Sequence, residues 1–447
     1  VIGAVAGAAL TDRAPDAILF RRPAGDVTAA GFLAAARRAA ALLPGDGPVV
    51  NLCRDRFAFT VVFAAALLRG SHCVLSGETG AHGLRALATA FPGACSAADD
   101  PATESPLPHA LIVPDPAAET APAPAPVIDP GRLAAVVLTS GSTGAPVAHA
   151  KHWGALVQRS RAAAVRFGLE AAPPATIVGT VPPRHMYGFE TTVLLPLHAA
   201  VASWCGPAFY PTDIAQALAA VPGPRVLVTT PLQLRALLGA ATDLPPLALT
   251  ISATSPLHAE TAAAAERRWA TRVCEIYGAT EVGSIASRRT AEEALWTPYP
   301  DVSIAFGDDA VVTAPHAIAH ALNDEVQPAP DGRFTLLGRR ADMVKLAGKR
   351  ASLAGLNQAL LAVEGVRDGL FVPPAAVERE AEGAAARLVA VVVAPEQDDE
   401  AILAGLRARI DPAFLPRRIV RLDALPRDDV GKLRHDALAA LGLAGTA

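Results

Sequence analysis

Residues 139–144 read Thr-Ser-Gly-Ser-Thr-Gly, four hydroxyls and two glycines in six positions. Glycines let a backbone approach a phosphate closely, and hydroxyls add donors beside the amide N–H groups. Composition alone fits an ordinary strand-to-helix turn at least as well. The string is neither GxxxxGK[ST] nor GxGxxG, so neither of those nucleotide-loop patterns applies. Three further residues carry chemistry of a general kind. Glu281, after a strand-like run, reads by itself as an acid at a helix N-terminus. Lys432, in Gly-Lys-Leu-Arg, reads as a solvated lysine, and His185 as a hydrogen-bonded structural histidine.

The elements that must position these residues alternate. Helices are predicted over 28–43 and 56–69, with strands over 48–53 and in the stretch ending at Ser76, a rhythm that implies parallel α/β packing. The run 133–138 (LAAVVL) is a buried strand that residues 140–144 break. Further strands end at Thr180, Thr230, Ser252 and Tyr277, with helices over 212–220, 232–240 and 257–269 between them. The stretch 96–130, rich in Ala, Pro, Ser and Asp, reads mostly as an extended surface connection with one strand over 109–114. After about residue 296 come short strands with Pro and Gly turns, including a hairpin arm over 331–339. A compact unit then follows, with a helix over 353–363, a strand over 388–394 and a helix over 399–409.

The chain has 447 residues, a length that suggests three domains or two large ones, and 51% hydrophobic residues supply sizeable cores. Lys plus Arg is 39 against 43 Asp plus Glu, a net charge of -4. That balance argues against a dedicated nucleic-acid binder and against long acidic tails. Five scattered cysteines without a CxxC pair exclude a disulfide framework and a structural zinc site, so a cytoplasmic setting is expected. The longest apolar run, 57–68, is too short to cross a bilayer, so no membrane insertion is expected. The change of character near 339–342 divides the chain into a body, 1–339, and a smaller unit, 340–447.

Seven segments in order turn these observations into a resemblance. They are TSGSTGAP at 139–146, PPRHMYG at 182–188, SATSPL at 252–257, YGATE at 277–281, LND at 322–324, GRRADMVKLAGKR at 338–350 and PRDDVGKLRHDAL at 426–438. Together the chain resembles the acyl-adenylate-forming superfamily of acyl- and aryl-CoA ligases, carrier-protein ligases, adenylation domains and luciferases. The resemblance implies an α/β fold: a large N-terminal body of several subdomains with layered α/β sheets, plus a small mobile α+β C-terminal domain. It implies a two-step ligation, in which a carboxylate attacks the α-phosphate of ATP and a thiol then attacks the acyl-adenylate.

Roles follow by resemblance, residue by residue. Lys432 would bridge the carboxylate and the α-phosphate. Thr280 would donate to that phosphate and Glu281 would hold Mg²⁺, a suitable pairing of carboxylate and nucleotide phosphates. Thr139, Ser140, Gly141, Ser142, Thr143 and Gly144 form the phosphate loop. Thr254 belongs to the loop lining the adenine, and Tyr277 and Gly278 lie beside it. Asp324 and Arg339 match the ribose-binding pair, a carboxylate with two acceptor oxygens suiting a vicinal diol. His185 matches a histidine beside the acyl pocket, which Gly188, Phe189 and Trp204 would help to shape. The small domain would swing between half-reactions, turning its face around Lys345 and Lys349 towards a pantetheine tunnel.

The chain departs from the family in three places. Pro146-Val147-Ala148 stands where the family carries Pro-Lys-Gly, so a pyrophosphate-gripping cation is missing; Lys151 or His152 is the candidate replacement. The hinge position is Ala341 in place of Asp or Lys, with Arg340 or Asp342 as alternatives. Gly355-Leu356-Asn357 replaces an acidic pair. The body is also trimmed. The resemblance points to an aromatic acid, such as a hydroxybenzoate, loaded onto an acyl carrier protein as in aryl polyene and xanthomonadin pigment ligases. Free CoA is the alternative acceptor, and a non-catalytic acyl-AMP binder the alternative class. Arg417, Arg418, Arg421 and Arg427 form a basic group that would face an acidic carrier protein.

Overall fold

The structure is a computed structural model that describes residues 7–77, 79–114, 124–140, 146–170, 172–240, 242–307, 309–339, 343–346, 349–372 and 388–427. Among the described residues two large sheets dominate, of six and nine strands. The six-stranded sheet is parallel through Leu133–Ser140, Cys73–Leu75, Val49–Asn51, Cys95–Ala98 and His109–Leu111. Helices Ala29–Leu42 and Arg56–Leu68 begin where the sequence places them. Thr28 caps the first by accepting from the Gly31 amide, and Asp55 caps the second by accepting from the Ala58 amide. The second helix is buried along twelve of its thirteen residues, so its apolar run belongs to a protein core. There Phe63 meets Phe189 edge to face, with ring centres 5.1 Å apart.

The nine-stranded sheet has a parallel centre. Val273–Ala279, Leu249–Ser252, Arg225–Thr229 and Ala175–Gly179 lie side by side in that order. Gly283–Arg289 then folds back antiparallel on the first of these. The carboxyl ends of the four parallel strands therefore share one edge, the usual place for a ligand in an open α/β sheet. The loops at 180–188, 253–257 and 277–281 all emerge there. The C-terminal portion has its own hydrophobic core, with Val344, Leu356, Leu360, Phe371, Val392, Ile402 and Phe414 among its members. It carries a sheet of Asp368–Val372, Val389–Val393 and Arg418–Arg421.

Two expectations are corrected. The glycine-rich segment does not lead from strand to helix. Pro146–His152 pairs antiparallel with Leu133–Ser140, and the helix Trp153–Phe167 starts only afterwards. The period-two pattern Val147, His149, Lys151 on one face is what a strand requires. The stretch 96–130 also opens inside a strand that was not expected, Cys95–Ala98, fully buried between two parallel neighbours. Its Cys, Ser and Ala side chains carry little strand propensity, and burial between neighbours overrides it.

Candidate functional site

Tyr277 ends the run of aromatic contacts at the carboxyl edge of the large sheet. Its ring lies 5.7 Å from that of Trp296 and 6.0 Å from that of Phe334. Its hydroxyl donates to Asp324 Oδ2 at 2.6 Å. Asp324 and Arg339 are cross-strand partners in the hairpin of Asp324–Pro328 with Phe334–Arg339. An aromatic face, a carboxylate and an arginine position thus gather within two adjacent hairpins. That arrangement suits a base and a vicinal diol.

The next residues turn sharply. Gly278 opposes Ser284 beside a bulge, and a Cβ on Gly278 would sit 2.6 Å from the Gly283 carbonyl oxygen. Gly283 itself has φ +85°, which favours glycine. Thr280 and Glu281 occupy the tip between these glycines. Across the sheet edge, Thr254 has φ +82°, rare for a β-branched residue and a mark of strain at functional loops. Its loop is fastened by Glu275, which accepts from the Leu257 amide at 2.7 Å, from Arg288 Nε at 2.9 Å and from Thr290 Oγ1 at 3.0 Å. Burial pushes the Glu275 carboxyl up, and Arg288 opposes that shift. Arg288 also lies over the Trp296 ring at 4.4 Å, so the loop fastening and the Tyr277 stack share one residue. Sequence reasoning missed Glu275; an acid inside an otherwise apolar strand was its only signal.

The hairpin of Leu133–Ser140 with Pro146–His152, in the smaller sheet, meets this edge. Lys151 is buried, and its ammonium donates to the Glu281 carbonyl at 2.9 Å. Burial pushes the Lys151 ammonium down to about 8, while the Glu190 and Glu281 carboxylates oppose the shift. His149, on the same face of the strand, shares a hydrogen bond of 3.0 Å with Thr139 Oγ1. Burial holds its imidazole below the ordinary range. His152 is exposed where the helix Trp153–Phe167 begins. Val147 is 46% exposed opposite Thr139. Of the two candidates for the missing cation, Lys151 is the one directed at the Glu281 turn.

His185 precedes the short turn Met186–Gly188 and lies beside Gly77, whose Cβ would stand 3.5 Å from its ring. Tyr187 donates to the carbonyls of Thr229 at 3.1 Å and Ile251 at 2.9 Å, tying two parallel strand ends together. Phe189 is fully buried against Phe63, and Trp204 packs in the core with Ile214 and Leu218, so both serve packing. Gly188 lies against the Pro182 carbonyl with no room for a Cβ. Gly141, Ser142, Thr143, Gly144, Arg340, Ala341, Asp342 and Lys432 lie outside the described residues, as do the side chains of Ser140, Arg339 and Lys345. Lys349 pairs with Asp411.

The donor set tests the fit of a cation. Among the described residues there is no group of three or more His, Cys, Asp and Glu that could hold a metal. The Glu281 carboxylate makes no hydrogen bond among the described residues. A single carboxylate without such a bond fits Mg²⁺, which keeps its waters and takes its other ligands from nucleotide phosphates. No helix among the described residues is long and apolar enough to cross a membrane.

Comparisons with known proteins identify the family and the fold. The family model described as AMP-binding enzyme matches residues 49–333. A 4-coumarate–CoA ligase of Rhodobacter capsulatus is 31% identical over 309 residues, 67% of this chain and 74% of its own length. An L-proline–[L-prolyl-carrier protein] ligase of Pseudomonas fluorescens is 31% identical over 195 residues, 38% of this chain and 37% of its own length. Among solved structures, ATP-bound MatB from Rhodopseudomonas palustris superposes with a TM-score of 0.80 at 21% identity, covering 97% of each chain. The anthranilate CoA ligase AuaEII in complex with anthranoyl-AMP gives a TM-score of 0.81 at 14% identity, covering 96% of this chain and 94% of its own. The mixed α/β architecture is that of the acyl-adenylate-forming ligases over nearly the whole chain, and this chain belongs to the AMP-binding enzyme family.

Proposed function

We propose that the protein is an ATP- and Mg²⁺-dependent ligase that activates a small aromatic carboxylic acid as its acyl-adenylate and passes it to a phosphopantetheine thiol. The observation that carries the reading is the junction of Tyr277, Asp324, Thr280 and Glu281 on adjacent hairpins, with the phosphate hairpin against it. Tyr277 offers its face to the adenine. Asp324 and Arg339 hold the ribose hydroxyls, and the Tyr277 hydroxyl keeps the Asp324 carboxylate in register. Thr280 donates to the α-phosphate, and the loop of Thr139, Ser140, Gly141, Ser142, Thr143 and Gly144 surrounds the β- and γ-phosphates. Glu281 holds Mg²⁺, which supplies positive charge where two anions are brought together. Lys432, carried on the mobile unit 340–447, bridges the acid and the α-phosphate. His185 stands at the entrance to the acid site.

The acid is read as an aromatic one, such as a hydroxybenzoate, and the 4-coumarate–CoA ligases among the relatives support an aromatic ring. Coenzyme A is favoured as acceptor because the relatives that align over about two thirds of this chain are CoA ligases. The basic group expected to greet a carrier protein is partly spent within the chain: Arg421 pairs with Asp399 and Arg427 with Asp368. Arg417 and Arg418 are exposed and keep the carrier-protein reading as the second one. Pyrophosphate exchange into ATP with a panel of carboxylates tests the activation step; exchange with no acid, by folded protein, would overturn the ligase reading. A matrix of acids against CoA and holo carrier protein, read by mass spectrometry, decides the rest.

A further inference from the structure

The Glu281 turn rests on a buried layer of charge that the proposed reaction does not use. Lys151 donates upward to the Glu281 carbonyl. Glu190, also buried, accepts from the Ser284 hydroxyl and amide. Arg159 donates to the Ser284 carbonyl at 2.8 Å and pairs with Asp301 at 2.7 Å. Three charged side chains therefore hold the backbone immediately at and after the turn from the core side. Burying charges is costly, and a group of them is retained only where geometry is excellent or a position must be fixed. The residue that reaches the turn itself is Lys151. It comes from the strand where the chain lacks the family's lysine and carries Val147 instead.

We propose that Lys151 is a positioning residue for Glu281: from the core it clamps the carbonyl of that residue and so fixes the turn whose carboxylate would hold Mg²⁺ beside the nucleotide phosphates. The inference rests on the ligase reading above. It assigns the missing phosphate-loop cation a different successor, one that braces the metal-binding turn instead of touching pyrophosphate. A partner that orients a metal ligand is worth about 10- to 100-fold in metal affinity or activity.

The test compares Lys151→Met with the wild-type chain by calorimetric titration. Binding of Mg·ATP and of AMP without metal are measured separately, together with the Mg²⁺ requirement of pyrophosphate exchange and the melting temperature. The expected result is Mg·ATP binding weakened about 10-fold and a matching rise in the Mg²⁺ requirement. AMP binding, which relies on Tyr277, Asp324 and Arg339, changes less than about twofold. Equal losses for AMP and Mg·ATP would show a merely structural lysine and overturn the proposal, as would unchanged binding of both. Adding Val147→Lys to Lys151→Met leaves the Mg²⁺ requirement raised; full restoration would show that only charge near the phosphates mattered and would also overturn it. If Lys151→Met does not fold, Lys151→Arg serves, keeping the charge and displacing the donor. A smaller shift in the same direction, confined to Mg·ATP, supports the proposal, and wild-type values overturn it. Wild-type protein that binds no Mg·ATP and exchanges with no acid would instead sink the ligase reading on which the inference stands.

Discussion

The two ends of the proposed nucleotide site are built on different plans. At the proposed nucleoside end Asp324, Tyr277, Trp296, Arg288 and Glu275 form one connected set, each touching the next. Tyr277 and Asp324 were expected there from the family resemblance, while Trp296, Arg288 and Glu275 come from the structure alone, and the set joins the large sheet to the hairpin of Asp324–Pro328 with Phe334–Arg339. At the phosphate end the usual cation is missing, Val147 is 46% exposed, and the charge that remains lies buried as Lys151 beneath the Glu281 turn. The first end is held by direct satisfaction of each polar group. The second is held from below, by a cation reaching across from another sheet. On the proposed reading, recognition of the nucleoside and handling of the phosphates are separable, and mutations should divide accordingly.

The connected nucleoside end breaks most severely at its buried acid. Glu275→Ala leaves the Leu257 amide, Arg288 and Thr290 without their shared acceptor. Removing one member of a buried ion pair costs about 3–5 kcal/mol. Denaturant unfolding should show a loss of that order, with the Thr254 loop loosened and nucleotide binding impaired even where the protein still folds. A loss below about 1 kcal/mol would mean that Arg288 finds another partner and that the set is less connected than drawn.

Lys432→Ala strikes the phosphate end alone. Pre-positioned charge at a developing anion is worth about 10²–10³ in rate, so adenylate formation should fall by that factor. Transfer from a preformed acyl-adenylate to the thiol should fall far less, and AMP binding should hold. Equal loss in both half-reactions would place Lys432 outside the first step.

Asp324→Ala does the reverse. Hydrogen bonds to a charged acceptor are worth about 1.5–3 kcal/mol, or roughly 10- to 100-fold in affinity. AMP and ATP should weaken together, by equilibrium titration, with the Mg²⁺ requirement unmoved. A change in that requirement would join the two ends and break the comparison.

How much of this was legible beforehand follows the same division. The proposed nucleoside residues could be named because they are local in sequence: Tyr277 and Gly278 are adjacent, and Asp324 and Arg339 flank one hairpin. The strand and helix rhythm was equally plain, since helices such as Ala29–Leu42 and Arg56–Leu68 announce themselves by apolar runs. The buried layer could not be read. Lys151 and Glu281 are 130 residues apart, and Glu190 reaches Ser284 over 94. Nothing local says that a lysine in an alternating strand points into the core. The hairpin of Pro146–His152 was missed for a related reason: a glycine-rich loop after a buried strand usually opens a helix, and the alternation that contradicts it spans only seven residues. Phe189 and Trp204, named for an acid pocket from position alone, turned inward because large rings bury more area in the core than at a rim.

The smallest expected effect is also the one that best separates gripping from bracing. Val147→Lys restores a cation at the exposed position opposite Thr139. An exposed charge pair is worth about 0.2–1 kcal/mol, so pyrophosphate affinity should rise by roughly two- to fivefold at low salt. Ionic screening should erase most of that gain near 1 M salt, where the Debye length falls to about 3 Å. The Lys151 contribution should survive the same salt, because its ammonium is buried against the Glu281 carbonyl and ions cannot reach between them. The salt dependence of pyrophosphate binding, measured for wild type, Val147→Lys and Lys151→Met, therefore assigns the two lysine positions to different work. If both effects vanish together at high salt, Lys151 acts through the solvent-exposed phosphate field, and the distinction between the two ends of the site fails at that residue.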